Sequence, residues 1–233
     1  MKPFRAVRAI AFDADDTLWD CQSFFVSVEQ EYCKLLASWA TEKDVSEQLF
    51  MTESANMPLL GYGCKAFTLS LIENAIRVSG GAVTSEVTKQ ILELGYSLLK
   101  LSAEPLPKVV TTLSTLYKQR SYRLALFTKG ELLDQENKLQ RSGLASYFDH
   151  VEIVSDKTPK AFRRLCDNLQ IEPHELLMVG NSFKSDIVPA LEIGAMAVHI
   201  PFHVTWKLEH TDEYEHQRLA RISSFSQLLD LLP

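Results

Sequence analysis

Five short apolar runs constrain this chain more than any other feature: Val7–Phe12, Arg123–Phe127, His150–Val154, Leu176–Val179 and Ala195–Ile200. Each is bounded by polar or turn residues and has the length of a buried strand. Helical patterns lie between them. After the third run, Thr158 can cap a helix with Pro159 in its first turn, and Phe162, Leu165, Cys166 and Leu169 follow at helical spacing. After the fourth, Ile187, Ala190 and Leu191 form a short apolar face that Gly194 can terminate. Strand, helix, strand repetition predicts an α/β fold, a doubly wound parallel sheet with helices on both faces.

More than a hundred residues separate the first run from the second, far more than one crossover helix needs. An inserted helical domain is expected, with core segments 1–18 and 106–233 around an insert at 19–105. Within the insert, Phe25, Val28, Tyr32, Leu35, Leu36 and Trp39 suggest one helix. Phe67, Leu71, Ile72 and Ile76 suggest a second, and Val87, Ile91, Leu94, Leu98 and Leu101 a third. Gly61–Tyr62–Gly63 and Gly80–Gly81 are the clearest loops, and Pro105 and Pro107 mark the return to the main domain. At the other end, Pro201–Glu215, with His203, Trp206 and His210, reads as a surface loop on the sheet edge, followed by a short helix at Phe225–Leu232.

Charge narrows the partners. The 233 residues carry 24 Lys and Arg against 30 Asp and Glu, a net charge of −6, with no basic stripe to track a phosphate backbone. Nucleic acid is therefore not an expected partner. Cys21, Cys33, Cys64 and Cys166 are scattered without a C-x-x-C pair, which suits buried thiols in a reducing compartment better than disulfides or a zinc site. The first residues contain Lys2, Arg5 and Arg8 and run into acid, unlike a signal peptide or a membrane span. A cytoplasmic location without membrane attachment is expected; oligomeric state leaves no mark in the sequence.

The first run feeds directly into Asp13–Ala14–Asp15–Asp16–Thr17–Leu18. Two carboxylates thus stand just past the carboxyl end of a parallel strand, the edge where open α/β sheets bind ligands. One acid can attack while the other moves protons, and an aspartate nucleophile suits phosphoryl transfer because an acyl phosphate divides the displacement into two easier steps. Three further segments follow other strands: Phe127–Thr128–Lys129–Gly130, Ser155–Asp156–Lys157–Thr158–Pro159, and Met178–Val179–Gly180–Asn181–Ser182–Phe183–Lys184–Ser185–Asp186.

Together these four segments resemble the haloacid dehalogenase superfamily of hydrolases, whose opening motif is an apolar strand followed by D-x-D-x-T. The resemblance spans Val7 to Ile200 and implies a Rossmann-like core with a helical cap of the C1 type closing over the site. It implies a phosphatase acting on a small phosphate ester, with Asp13 as nucleophile and Asp15 as general acid and base. Thr128 would hold a phosphoryl oxygen, with Lys129 beside it on the substrate. Lys157 would neutralise nucleophile and phosphate together; Lys160, inside the next helix, is the less suitable lysine. A magnesium ion would be held by Asp13, the Asp15 backbone carbonyl, Asp186 and Asn181, hard oxygen ligands of the kind Mg2+ prefers. Asn181 departs from the family, which usually has Asp there, and removes one negative charge from the metal site.

Asp15 disfavours halide displacement, which needs no acid at that position. A phosphomutase, or a binding protein with a weakened metal site, are the alternatives. Specificity would lie in the cap, where Tyr62 and Lys65 flank a glycine loop and Trp19 and Phe24 are further candidates.

Overall fold

The computed structural model describes residues 4–233. Strand β1 (Ala9–Phe12) is followed by α1 (Gln22–Leu35), α2 (Glu42–Leu60), α3 (Cys64–Val78), α4 (Ser85–Leu99) and α5 (Val109–Gln119). The chain continues through β2 (Arg123–Lys129), α6 (Leu132–Ser142), β3 (His150–Val154), α7 (Pro159–Leu169) and β4 (Leu176–Gly180). It ends with α8 (Val188–Glu192), β5 (Met196–His199), β6 (Leu219–Arg221) and α9 (Leu228–Leu231). The strands form one sheet in the order β3-β2-β1-β4-β5-β6, parallel at every pairing.

β1 sits between β2 and β4, with Phe12 opposite Leu126 on one side and Val179 on the other. Alternation along the strand sends Ile10 and Phe12 into one core and Ala9 and Ala11 into the other. The small alanines let α7 pack closely on their face. There Phe162 meets Phe127 edge-on, with ring centroids 4.8 Å apart. Thr158 starts α7 as expected, its hydroxyl accepting the Ala161 N–H at 3.2 Å, with Pro159 in the first turn.

Contacts divide the chain into two compact units, one made of the segment through Asp20 with Ala103–Pro233, the other Cys21–Ser102. The second unit holds four helices rather than the three read from the sequence. The missed one, α2, buries only Val45, Leu49 and Thr52 along its length and contains Pro58, so it carries too faint an apolar stripe to detect by periodicity. Its start is nonetheless well made, with the Thr41 side chain accepting the Asp44 N–H. The helix expected to run on to Trp39 stops at Leu35. Inside this unit the buried Tyr32 hydroxyl donates to the Leu71 carbonyl and accepts from Asn74 Nδ2, both at 2.9 Å.

Two further corrections concern the C-terminal third. Nothing in the sequence marks β6, because its three residues, two half-buried and one exposed, present no apolar run. The stretch read as a plain surface loop contains a 3₁₀ turn at Lys207–Glu209 that points Glu209 inward, and the final helix shrinks to one turn, α9, after a 3₁₀ turn at Phe225–Gln227. All four cysteines are buried, and none is in a disulfide. Among the described residues no helix is long and apolar enough to cross a membrane.

Phe162→Ala removes a fully buried ring from the α7 face of the sheet. It should destabilise the protein by about 3–5 kcal/mol, read from the denaturant midpoint at unchanged slope.

Candidate active site

β1 delivers Asp13 to the carboxyl edge of the sheet, its N–H bonded to the Val179 carbonyl at 2.9 Å. The chain then turns sharply: Asp16 takes a left-handed φ of 62°, and the Thr17 and Leu18 amides fold back onto the Ala14 carbonyl at 3.3 and 2.8 Å. This turn returns Thr17 to the strand end. Its hydroxyl lies 3.0 Å from Asp13 Oδ2 and 3.1 Å from Asn181 Oδ1, and it accepts the Asn181 N–H at 3.0 Å. One hydroxyl thereby ties the β1 loop to the β4 loop.

Lys157, just before α7, closes the third side. Its buried ammonium bonds Asp13 Oδ1 and, at 2.6 Å, Asp186 Oδ1. Asp186 lies on a π-helical turn, Phe183–Ile187, and its second oxygen accepts the Ser182 N–H at 3.0 Å. Gly180 makes room for that carboxylate, since a Cβ there would sit 2.2 Å from Asp186 Oδ2. Burial, with Asp186 adding to it, pushes the Asp13 carboxyl up to about 7 against the opposing pull of Lys157. Burial alone would lower the Lys157 ammonium, but Asp13 and Asp186 outweigh it and hold Lys157 above its ordinary value.

Thr128 is buried near the end of β2, two residues past the Leu126 that pairs with Phe12, and so at the same edge of the sheet. Lys129 follows it, but its ammonium is already engaged: Glu209 Oε1 lies 2.5 Å away and Ser185 Oγ 2.7 Å. Glu209 also accepts from Ser182 Oγ at 2.5 Å and Ser185 Oγ at 2.6 Å. Burial would raise the Glu209 carboxyl, but Lys129 and these hydroxyls hold it below its ordinary value.

Asp15 is bound to a different set of groups. Lys138 Nζ contacts both its oxygens at 2.8 and 2.7 Å, Gln135 Nε2 reaches Oδ2 at 2.8 Å, and Trp19 Nε1 reaches Oδ1 at 2.7 Å. Burial raises its carboxyl, yet Lys138 first, then Gln135 and Trp19, keep it below the usual carboxylate range. Trp19, fully buried and committed to Asp15, is therefore core and not the substrate contact its aromatic character suggested.

A family model described as haloacid dehalogenase-like hydrolase matches residues 7–194, which carry all four segments of this site. The chain belongs to that family. It is 27% identical over 97% of its length to a glyceraldehyde 3-phosphate phosphatase of Methanothermobacter thermautotrophicus, covering 100% of that protein. It is 29% identical to a phosphoglycolate phosphatase of Vibrio vulnificus, covering 97% of this chain and 96% of the other. Among solved structures, a haloacid dehalogenase-like family hydrolase from Xanthomonas campestris superimposes with a TM-score of 0.86 at 29% identity, over 97% of this chain and 92% of that one.

In this haloacid dehalogenase-like hydrolase the edge of the sheet brings Asp13, Thr17, Lys157, Asn181 and Asp186 into one bonded set. Tyr62 and Lys65 lie in the other unit, at the turn joining α2 to α3 and in the first turn of α3. Among the described residues no group of three or more His, Cys, Asp and Glu is arranged to hold a metal. The available hard oxygens are instead two carboxylates, Asp13 and Asp186, with the Asn181 amide joined to Asp13 through Thr17. Two carboxylates already sharing one buried cation are a donor set suited to Mg2+, with main-chain carbonyls and water as further ligands.

Sequence reasoning missed Gln135, Lys138 and Glu209. The first two had a signal: α6 buries Asp134, Gln135, Lys138, Leu139 and Ser142 while Leu132 and Leu133, at its start, stay 59% and 57% exposed. The buried set, polar except for Leu139, recurs at i, i+1, i+4, i+5 and i+8, the spacing of one helical face. Glu209 had none, since nothing in a loop sequence shows which acid turns inward.

Gly180→Ala should leave the protein folded, because the strand backbone accepts alanine, yet displace Asp186 from Lys157. Activity should fall by about a hundredfold, the scale of a misplaced reacting group, with circular dichroism unchanged.

Proposed function

We propose that this chain is a magnesium-dependent phosphatase that hydrolyses a small phosphorylated metabolite through an aspartyl-phosphate on Asp13. The observation that carries the reading is Lys157 joining Asp13 to Asp186 at the rim of the sheet. Two carboxylates against one ammonium leave the cluster negative, which repels a phosphate ester. A bound Mg2+, held by Asp13, Asp186, Asn181 and the Asp15 carbonyl, would reverse that charge and stabilise the equatorial oxygens in the transition state.

The chain's own groups supply the rest. Asp13 attacks phosphorus in line and the ester oxygen departs with a proton from Asp15, which must first take that proton up against the pull of Lys138, Gln135 and Trp19. In the second half Asp15, in the ionised form its three donors favour, takes a proton from water, whose oxygen attacks the phosphoenzyme and releases phosphate. Thr128 and Lys157 bind the phosphoryl oxygens. Lys129, neutralised by Glu209, serves the site by tying β2 to the loop after β4 rather than as a free phosphate ligand.

Hydrolysis is favoured over mutase chemistry because the relatives matched over nearly the whole chain are named phosphatases, of a triose phosphate and of phosphoglycolate. Compact organophosphates of that size are the substrate class to test, and the four buried thiols fit a cytoplasmic setting.

Release of inorganic phosphate from glyceraldehyde 3-phosphate, phosphoglycolate and other small esters should require Mg2+ and stop with EDTA. Asp13→Asn should lower it by at least about a thousandfold. Normal release by Asp13→Asn, or sugar phosphate isomerised without free phosphate, overturns the reading.

A further inference from the structure

The helix that follows the second strand is turned polar side inward, and that orientation costs stability. Lys138 is 2% exposed, Gln135 3% and Asp134 4%, while two leucines of the same helix face solvent. Burying an ammonium and an amide is unfavourable unless each is bonded. Even so, Gln135 Oε1 is buried without a hydrogen-bond partner. Its nitrogen can only be the atom facing Asp15 Oδ2 and the Lys129 carbonyl, at 2.8 and 3.3 Å, because both are acceptors. The core would gain by exchanging these side chains for apolar ones, so their value lies in what they hold.

What they hold is a single carboxylate. Lys138 spans both oxygens of Asp15 while Gln135 and Trp19 take one each, which removes rotation about the Asp15 side-chain bonds. Gln135 and Lys138 are three apart on one helical face, so the helix presents them together. Asp134, 3.5 Å from Lys138 Nζ and one turn earlier, steadies the lysine from behind. Gln135 also occupies the space over Gly130, where a Cβ would lie 2.9 Å from Nε2, and so fixes the helix against the end of β2, which carries Thr128 and Lys129.

We propose that Lys138 and Gln135 are positioning residues for Asp15, a clamp on α6 that holds the proton-transferring carboxylate at the distance the departing and attacking oxygens require. The proposal rests on the phosphatase reading and adds to it two residues outside its four motif segments. Neither touches the reacting atoms; both act through Asp15.

That last property gives the test, a double-mutant cycle on the full chain with Mg2+, measuring kcat and KM for an alkyl phosphate and for p-nitrophenyl phosphate. Lys138→Met should lower kcat for the alkyl ester by about tenfold to a hundredfold, with KM within about twofold. The loss should be smaller with p-nitrophenyl phosphate, whose leaving group needs little protonation. In an Asp15→Asn background, assayed on p-nitrophenyl phosphate, adding Lys138→Met should change kcat by less than about threefold, since the group it positions is gone. Gln135→Met should behave in the same sense with a smaller effect, and it carries the cycle alone if Lys138→Met fails to fold. Equal losses in both backgrounds, or a loss confined to KM, overturn the clamp while leaving the phosphatase reading intact. Absence of phosphate release by the wild-type chain with every ester overturns both.

Discussion

The ion pair set that Lys157 makes with Asp13 and Asp186 is the interaction on which the candidate site depends. Its three members come from the loop after β1, the segment before α7 and the turn after β4, and all three are almost wholly removed from water. Charges in that position are costly unless matched in geometry and number, and losing one partner strands the others. Each carboxylate therefore has a second donor: Thr17 for Asp13 and the Ser182 amide for Asp186. The absence of a Cβ at Gly180 then lets Asp186 lie against the strand end.

A second layer of charge surrounds the first and follows a different logic. Lys138 pairs with Asp15 and, at 3.5 Å, with Asp134, and Lys129 pairs with Glu209. Lys157 bridges the Asp13 and Asp186 carboxylates. Two carboxylates outnumber one ammonium where Asp13 and Asp186 meet, and burial together with Asp186 raises the Asp13 carboxyl there. On the proposed reading, the surplus would draw a cation and its reversal a phosphoryl group.

The polar helix α6 and the Lys207–Glu209 turn show how a parallel sheet builds a site from elements that are not strand ends. α6 reaches Asp15 because β2 ends beside β1, and the turn reaches Lys129 and the serines of the β4 loop because the chain crosses the rim after β5. Both give up favourable local arrangements, exposed leucines in one case and a buried carboxylate in the other. Such local inconsistencies mark residues held by function.

The sequence by itself determined the parallel α/β core, the cap on α7 at Thr158 and the four motif segments, since apolar runs, a capping threonine and acids at a strand end are local signals. It also determined that helices fill the insert, though α2 escaped because its stripe is faint. Only the tertiary structure decided that Lys129 faces Glu209, that Trp19 is core and that Lys138 and Gln135 grip Asp15. Those pairings join residues 80, 123 and 120 positions apart, or turn on which side of a loop faces inward. Hydrophobic periodicity reports how a segment meets water; it carries no record of which distant charge completes a buried one, because that partner is chosen by the packing of the whole sheet.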